Sequence, residues 1–324
     1  MTQFSILIPS YNSENTIGET LESIQIQDSQ LNKIYAIYLA DDCSTDETIE
    51  VAIKTWKSQI PLLVLKGEKN LGERGNVNRA LEVIKNSTEW VLILHSDDIA
   101  KHNWLETIAL RIETCSEKVA TICSSWDNLM PDGSVEVGED NPNRQIEVIE
   151  GNDKSVKSTL LRGCWWHISG CAIRIKAFES LEGFNPKLPQ LGDWEWLLRC
   201  LSNEWYVEYI PRTLILYRQH QTSVSSQSFQ TNQDIKEFLK IVPNYAIFLN
   251  RNELIYIYLL RVNYVLKRAL KSLITFKIKR LLSSLQVFVL LIKNSCLTAF
   301  SARCYQNGSK LSISTSISHS KSSH

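Results

Sequence analysis

The first hundred residues constrain the fold most, because short β-branched apolar runs alternate there with amphipathic helical stretches. Phe4–Ile8 reads as a buried strand, and Asn15–Gln27 as a helix with Ile17, Leu21 and Ile24 on one face. Ile34–Ala40, Leu62–Leu65 and Trp90–Leu94 read as further strands. Thr45–Trp56 and Glu73–Lys85 supply the helices between them, the second carrying Val77, Ala80, Leu81 and Ile84. This alternation predicts a Rossmann-like, mostly parallel sheet with helices on both faces. Ligands of such sheets bind beyond the carboxyl ends of the strands, so the polar residues after each strand carry the functional information.

The middle of the chain is less regular. Asp153–Leu161 and Asp193–Leu201 read as helices, and Val207–Ile210 and Leu214–Tyr217 as short strands on either side of Pro211. From Thr231 to about Phe300 the pattern is helical, and the Ser-rich end from Asn307 has the composition of a disordered tail. The expected division is a catalytic domain over 1–230, a basic helical extension over 231–300 and a tail over 301–324. The formal net charge of zero conceals a split: 12 Lys/Arg against one acid from Arg251 onward, and 23 against 34 before it. A basic, apolar extension of this kind suits an anionic membrane face, and equally a helical lid or oligomer contact; both readings stand at this point. The eight cysteines form no CxxC pair, which argues against zinc and for a reducing, cytoplasmic setting. Met1-Thr2-Gln3 runs straight into a strand-like segment, so no signal peptide is expected.

Three acidic clusters punctuate the pattern: Asp41-Asp42 after the second strand, Asp97-Asp98 after the fourth, and Asp193 at a helix start. Carboxylates at strand ends can accept bonds from a base or a ribose, or ligate a hard cation that also holds substrate phosphates. A further carboxylate can remove a proton from a hydroxyl. Each acid also has a plainer reading as a turn or N-cap residue.

Taken in order, the motifs are Ile8-Pro9-Ser10-Tyr11-Asn12, Ala40-Asp41-Asp42-Cys43-Ser44-Thr45-Asp46, Asn70-Leu71-Gly72, His95-Ser96-Asp97-Asp98, Gly192-Asp193 and Tyr217-Arg218-Gln219-His220. This series resembles the family 2 glycosyltransferases of GT-A fold, over roughly Gln3 to Ser226. The resemblance implies an inverting, metal-dependent enzyme that transfers sugar from a nucleotide-diphosphate donor to an acceptor hydroxyl, in cell-surface polysaccharide or glycolipid synthesis. It implies a nucleotide cradle of Pro9, Tyr11 and Asn12, with Asp41 on the base and Asp97 near the ribose. It further implies Asp98 as ligand of Mn²⁺ or Mg²⁺, Asp193 as general base, and Arg218 and His220 on the diphosphate. The chain departs from the family pattern at Ser96, where the first acid of a DxD motif is usual, and at Gly192, where a Glu is usual. Glu195 is the expected substitute support for the base, and Arg74 or Arg79 the expected cation, since Val77 stands where relatives often carry Arg.

Trp165, Trp166 and Trp194 are acceptor-stacking candidates, because flat rings pack on sugar C–H faces; core packing is the competing reading. The alternative function is a non-catalytic nucleotide-sugar or glycan-binding protein of the same fold. A nucleotidyltransferase ranks lower, because the loop Ser10–Glu14 lacks the Gly-rich basic character of that class. No nucleic-acid partner is expected.

Overall fold

The computed structural model describes residues 3–220 and 231–306, except the side chains of 28–30 and 296–306. The chain divides into two compact units, Met1–Ile241 and Val242–His324.

The first unit begins β1 (Phe4–Ser10), α1 (Ile17–Gln25), β2 (Ile34–Asp41), α2 (Thr48–Thr55), β3 (Leu62–Lys66), α3 (Gly72–Ile84) and β4 (Trp90–Ile93). It continues with β5 (Ile99–Ala100), α4 (Trp104–Thr114), β6 (Val119–Leu129), β7 (Val135–Glu136), β8 (Glu147–Ile149) and α5 (Asp153–Arg162). The remaining elements are β9 (Ala172–Arg174), α6 (Ile175–Ser180), α7 (Gly192–Ser202) and β10 (Tyr206–Arg218). The strands form one sheet in the order β3-β2-β1-β4-β9-β6-β10-β5, with β7 on β6 and β8 on β10.

Strands β3, β2, β1 and β4 are mutually parallel, as the alternating pattern requires. Beyond β4 the sheet is mixed, because β9 inserts antiparallel between β4 and β6. The sheet is thus an α/β sheet, parallel in one half and mixed in the other. Central strand β1 is buried along its whole length, which accounts for its nearly continuous apolar run. Ile6, Ile8, Leu39 and Leu92 meet Ile17, Trp104 and Ile108 of the flanking helices in the main core.

Two expectations about the middle region change. The segments around Pro211 are one strand, β10, whose register on β6 shifts between Ile210 and Thr213 instead of ending. An internal Pro removes one ladder donor, and the irregularity accommodates it. Strand β6, unread in the sequence, crosses the sheet with Ser124, Ser125 and Asp127 all buried.

Helix α8 (Gln233–Tyr245) crosses the division between the units. The second unit holds α9 (Arg251–Ile274) and α10 (Ile278–Gln306), which pack along one another. Asn250 and Glu253 cap α9 reciprocally: Asn250 Oδ1 accepts from the Glu253 amide at 2.9 Å, and Glu253 Oε2 from the Asn250 amide at 2.8 Å. Helix α10 carries residues 301–306, read above as tail; residues 307–324 lie outside the described residues. Among the described residues no helix is long and apolar enough to cross a membrane, and the six described cysteine side chains are free thiols.

Candidate active site

The carboxyl ends of β1, β2 and β4 come together because these strands are parallel neighbours. Pro9 and Ser10 end β1 beside Ala40 and Asp41 of β2. The loop after β1 is tied to the loop after β2: the Asn12 amide donates to Ser44 Oγ at 2.9 Å, and Asn12 Oδ1 accepts from the Thr45 amide at 2.9 Å. Asn12 takes the left-handed conformation that Asn tolerates (φ 49°). Tyr11 stands exposed on the same loop.

Asp41 is completely buried. Its Oδ2 accepts from the Ser44 amide at 3.0 Å, while Oδ1 has no hydrogen-bond partner. A buried carboxylate oxygen left open is costly unless a ligand donor completes it. Asp42, by contrast, is occupied structurally, accepting from the Leu71 amide at 2.9 Å.

The turn after β4 gathers His95, Asp97 and Asp98, whose ligating atoms all lie within 4.8 Å of one another. Asp98 Oδ1 accepts from the Arg218 amide at 3.0 Å, and its buried Oδ2 has no partner. Burial, reinforced by the neighbouring Asp97 charge, pushes the Asp98 carboxyl up to about 7. Burial also opposes ionisation of Asp97, but the hydrogen bond from His220 and the charge of His95 hold it below the usual carboxylate value. The open Asp98 oxygen beside the Asp97 carboxylate offers the oxygen donors that a hard divalent cation takes, whereas His95, held protonated by Glu73, can join them only after losing its proton. Ser96 does not join this set: its hydroxyl bonds that of Ser13 at 2.7 Å.

The end of β10 delivers the basic residues. Arg218 Nε donates to the Asp97 carbonyl at 2.9 Å, its guanidinium pairs with Glu19, and His220 Nε2 meets Asp97 Oδ2 at 2.9 Å. Arg218 and His220 therefore sit on the same turn as the acidic pair, 120 residues away in sequence.

Asp193 stands in the first turn of α7, 9% exposed, in an ion pair with the buried Arg74 of α3. Arg74 also pairs with Glu73 at 2.6 Å, and Glu73 reaches His95 Nε2 at 3.2 Å. A chain of contacts Asp193–Arg74–Glu73–His95 thus joins α7 to the acidic turn. Burial raises the Asp193 carboxyl, and Arg74 pulls it back, leaving it at about 6. His95 is lifted to about 9, its burial overridden by Glu73. Gly192 explains how Arg74 fits, since a Cβ there would lie 3.0 Å from Arg74 Nε.

Glu195, the expected support for Asp193, is instead paired with Arg199 one turn on, at 2.7 Å. Arg79 is also engaged elsewhere, donating to the carbonyls of Asp41 and Leu65. Glu73 and the neighbouring His167 stand in none of the sequence motifs, and His95 enters only as the first residue of His95-Ser96-Asp97-Asp98. His167 lies 5.9 Å from the His95 ring and 4.7 Å from Tyr217, and burial beside His95 pushes its imidazole down to about 4.

The acceptor-side tryptophans separate. Trp194 (1% exposed) stacks on Phe238 at 6.1 Å and donates to the Thr159 carbonyl; Trp166 (2%) packs against Trp196 at 5.1 Å. Neither presents a free ring face, so the stacking expectation is corrected to core packing for both. Trp165 is half-buried and lines an open cavity of about 550 Å³ with Trp126, Tyr209, Lys154 and Arg162. Trp194→Ala is therefore expected to lower unfolding stability by about 3–5 kcal/mol, measured by chemical denaturation. A change under about 1 kcal/mol, within the range of ordinary surface substitutions, would contradict the core assignment.

The sheet and the carboxylates beyond its strand ends together make an architecture of GT-A type. Solved structures share it. The 1–349 fragment of Staphylococcus aureus TarS, in complex with UDP-GlcNAc, superposes with a TM-score of 0.60 at 20% identity, covering 76% of this chain and 66% of that one. The mannosyltransferase PcManGT from Pyrobaculum calidifontis, in complex with GDP-Man and Mn²⁺, gives 0.56 at 12% identity, covering 94% and 88%. Residues 5–156 match the model of Glycosyl transferase family 2. TarS, a poly(ribitol-phosphate) beta-N-acetylglucosaminyltransferase from S. aureus strain Mu50, is 33% identical over 113 residues, which is 35% of this chain and 19% of TarS. An uncharacterized glycosyltransferase of Haemophilus influenzae is 24% identical over 237 residues, 71% of this chain and 74% of its own length.

Proposed function

We propose that the chain is an inverting glycosyltransferase moving a sugar from a nucleoside-diphosphate donor to an acceptor hydroxyl in cell-surface polysaccharide or glycolipid synthesis. The observation that carries this reading is the contact chain linking a buried carboxylate of raised pKa, Asp193, to the acidic turn His95–Asp98. TarS is solved with UDP-GlcNAc and named for transfer to poly(ribitol-phosphate), which supports a UDP-sugar donor and a polymeric acceptor bearing hydroxyls.

In this reading Asp41 accepts from the base through its open oxygen, and Pro9, Tyr11 and Asn12 border the nucleotide. Asp97 faces the ribose side. Asp98 through its open oxygen, together with Asp97 and a deprotonated His95, would hold Mn²⁺ or Mg²⁺, and such a cation would neutralise charge on the diphosphate. Arg218 and His220 bind diphosphate oxygens. Asp193 takes the proton of the acceptor hydroxyl as its oxygen bonds the anomeric carbon. The bond from that carbon to the diphosphate breaks on the opposite face, its electron pair leaves with the phosphate, and configuration inverts. Trp165 is the stacking residue left for the acceptor, and the protein works at the cytoplasmic face of a membrane through its basic C-terminal helices.

With Mn²⁺ saturating, so that Asp98 stays ionised, kcat/KM should rise with pH through about 6 as Asp193 ionises and level off above it. A profile flat from pH 5 to 8 would remove Asp193 from the role of base. A transfer assay over UDP- and GDP-sugars with Mn²⁺, the product anomer read by NMR, tests the whole reading. Transfer with inversion is expected, and retention would overturn the single displacement. The rival non-catalytic reading, favoured by the diverted Ser96 and by Gly192, predicts nucleotide binding without turnover.

A further inference from the structure

The turn between α9 and α10 is built against the rules of an exposed helix end. Helix α9 closes with the Lys277 amide bonded to the Ser272 carbonyl at 2.8 Å and the Phe276 amide to that of Leu273 at 3.1 Å. This paired pattern places residue 276 at the left-handed position that chains normally give to Gly. Here it is Phe276, at φ 53°. A bulky aromatic is strained there.

Phe276 is also 89% exposed, and its neighbours Ile274 and Ile278 are 67% and 69% exposed. Backbone preference and hydration therefore both disfavour what the sequence has put at this tip. Every residue from 273 to 279 is exposed, Lys277 and Lys279 among them, and Lys271 stands exposed just before. From residue 251 to 293 the chain carries nine Lys/Arg and one acid, Glu253. The exposed apolar side chains continue along both helices, through Leu266 and Leu270 on α9 and Leu282 and Leu285 on α10.

We propose that this helical hairpin docks on an anionic lipid bilayer, with Ile274, Phe276 and Ile278 entering the headgroup–acyl boundary and Lys271, Lys277 and Lys279 meeting lipid phosphates. Apolar side chains ringed by lysines match that boundary, where burial of the first and attraction of the second act together. The same hairpin of a second copy fits less well, because pairing hairpin with hairpin would bring two acid-poor basic surfaces together. The inference rests on the preceding reading for its purpose, delivery of the enzyme to a lipid-linked acceptor, and specifies which residues make the contact.

The test uses the full chain and needs neither donor nor acceptor, so its failure leaves the transferase reading untouched. Flotation with phosphatidylglycerol/phosphatidylcholine vesicles should show salt-sensitive binding that is weak on pure phosphatidylcholine. Phe276→Gly should weaken binding roughly tenfold, as should Lys277→Glu with Lys279→Glu. The glycine variant relieves the backbone strain, so its melting temperature should hold or rise, which separates lost docking from lost folding. No binding to the anionic vesicles, equal binding to neutral ones, or wild-type binding by Phe276→Gly would each overturn the proposal. So would sedimentation showing a dimer that Phe276→Gly dissociates.

Discussion

Asp193→Asn should lower kcat by about 10²–10⁴-fold while nucleoside-diphosphate affinity stays near that of the wild type. The amide keeps the shape of the side chain but cannot take a proton from the acceptor. Asp193 is in contact with the acidic turn through Arg74 and Glu73 rather than directly, so the nucleotide contacts proposed for Asp41 and Asp97 should persist. Removing the pair's negative end leaves Arg74 buried with Glu73 alone, so folding is checked by melting temperature beside the kinetics. A folded Asn variant within about threefold of wild-type turnover falls far short of a general base's contribution and would assign the base elsewhere.

Arg74→Met carries the second large effect. Arg74 is 5% exposed and bridges Glu73 and Asp193. Deleting one member of a buried ion pair strands the other, at a cost of about 3–5 kcal/mol of folding stability. The kinetic consequence has a definite sign. Burial raises Asp193 and Arg74 is the leading influence that lowers it, so without the guanidinium the carboxyl should titrate above about 6. The acid limb of kcat/KM should move to higher pH, with activity recovering on the alkaline side. Arg74→Lys should restore part of the shift, because the charge returns without the planar fork. An acid limb unmoved in a folded Arg74→Met protein would mean that the ion pair orients α3 and α7 without setting the base.

How far the site is legible depends on where its residues stand. Asp41, Asp97 and Asp98 follow strands whose apolar runs are plain, and parallel pairing brings strand ends together. Asp193 and Arg218 lie far along the chain and were found from motif order. Arg74 is legible only as one of two candidate cations and His95 only as part of a motif, while Glu73 leaves no trace, because the contact chain that joins them to Asp193 arises only when α3 packs beside α7. Gly192 reads in sequence as a lost acid, whereas in the fold it is the space that Arg74 fills. Trp194 shows the opposite failure: one helical face carried it in sequence, and nothing local tells a core ring from a sugar platform. Strand β6 escaped because Ser124-Ser125-Trp126-Asp127-Asn128 breaks its apolar run, although Ser124, Ser125 and Asp127 are buried. Strand β9 spans only Ala172–Arg174, too short for a periodic signal.

In the proposed mechanism carboxylates from separate strands and helices divide the labour of one pocket: Asp98 would hold the cation and diphosphate, and Asp193 would serve only the acceptor. Isothermal titration of UDP and GDP with and without Mn²⁺, on wild type, Asp98→Asn and Asp193→Asn, tests this most directly. One diphosphate should bind in the presence of Mn²⁺, the heat should vanish in Asp98→Asn and persist in Asp193→Asn. Binding indifferent to Mn²⁺ and to Asp98, or lost equally in both variants, would contradict it.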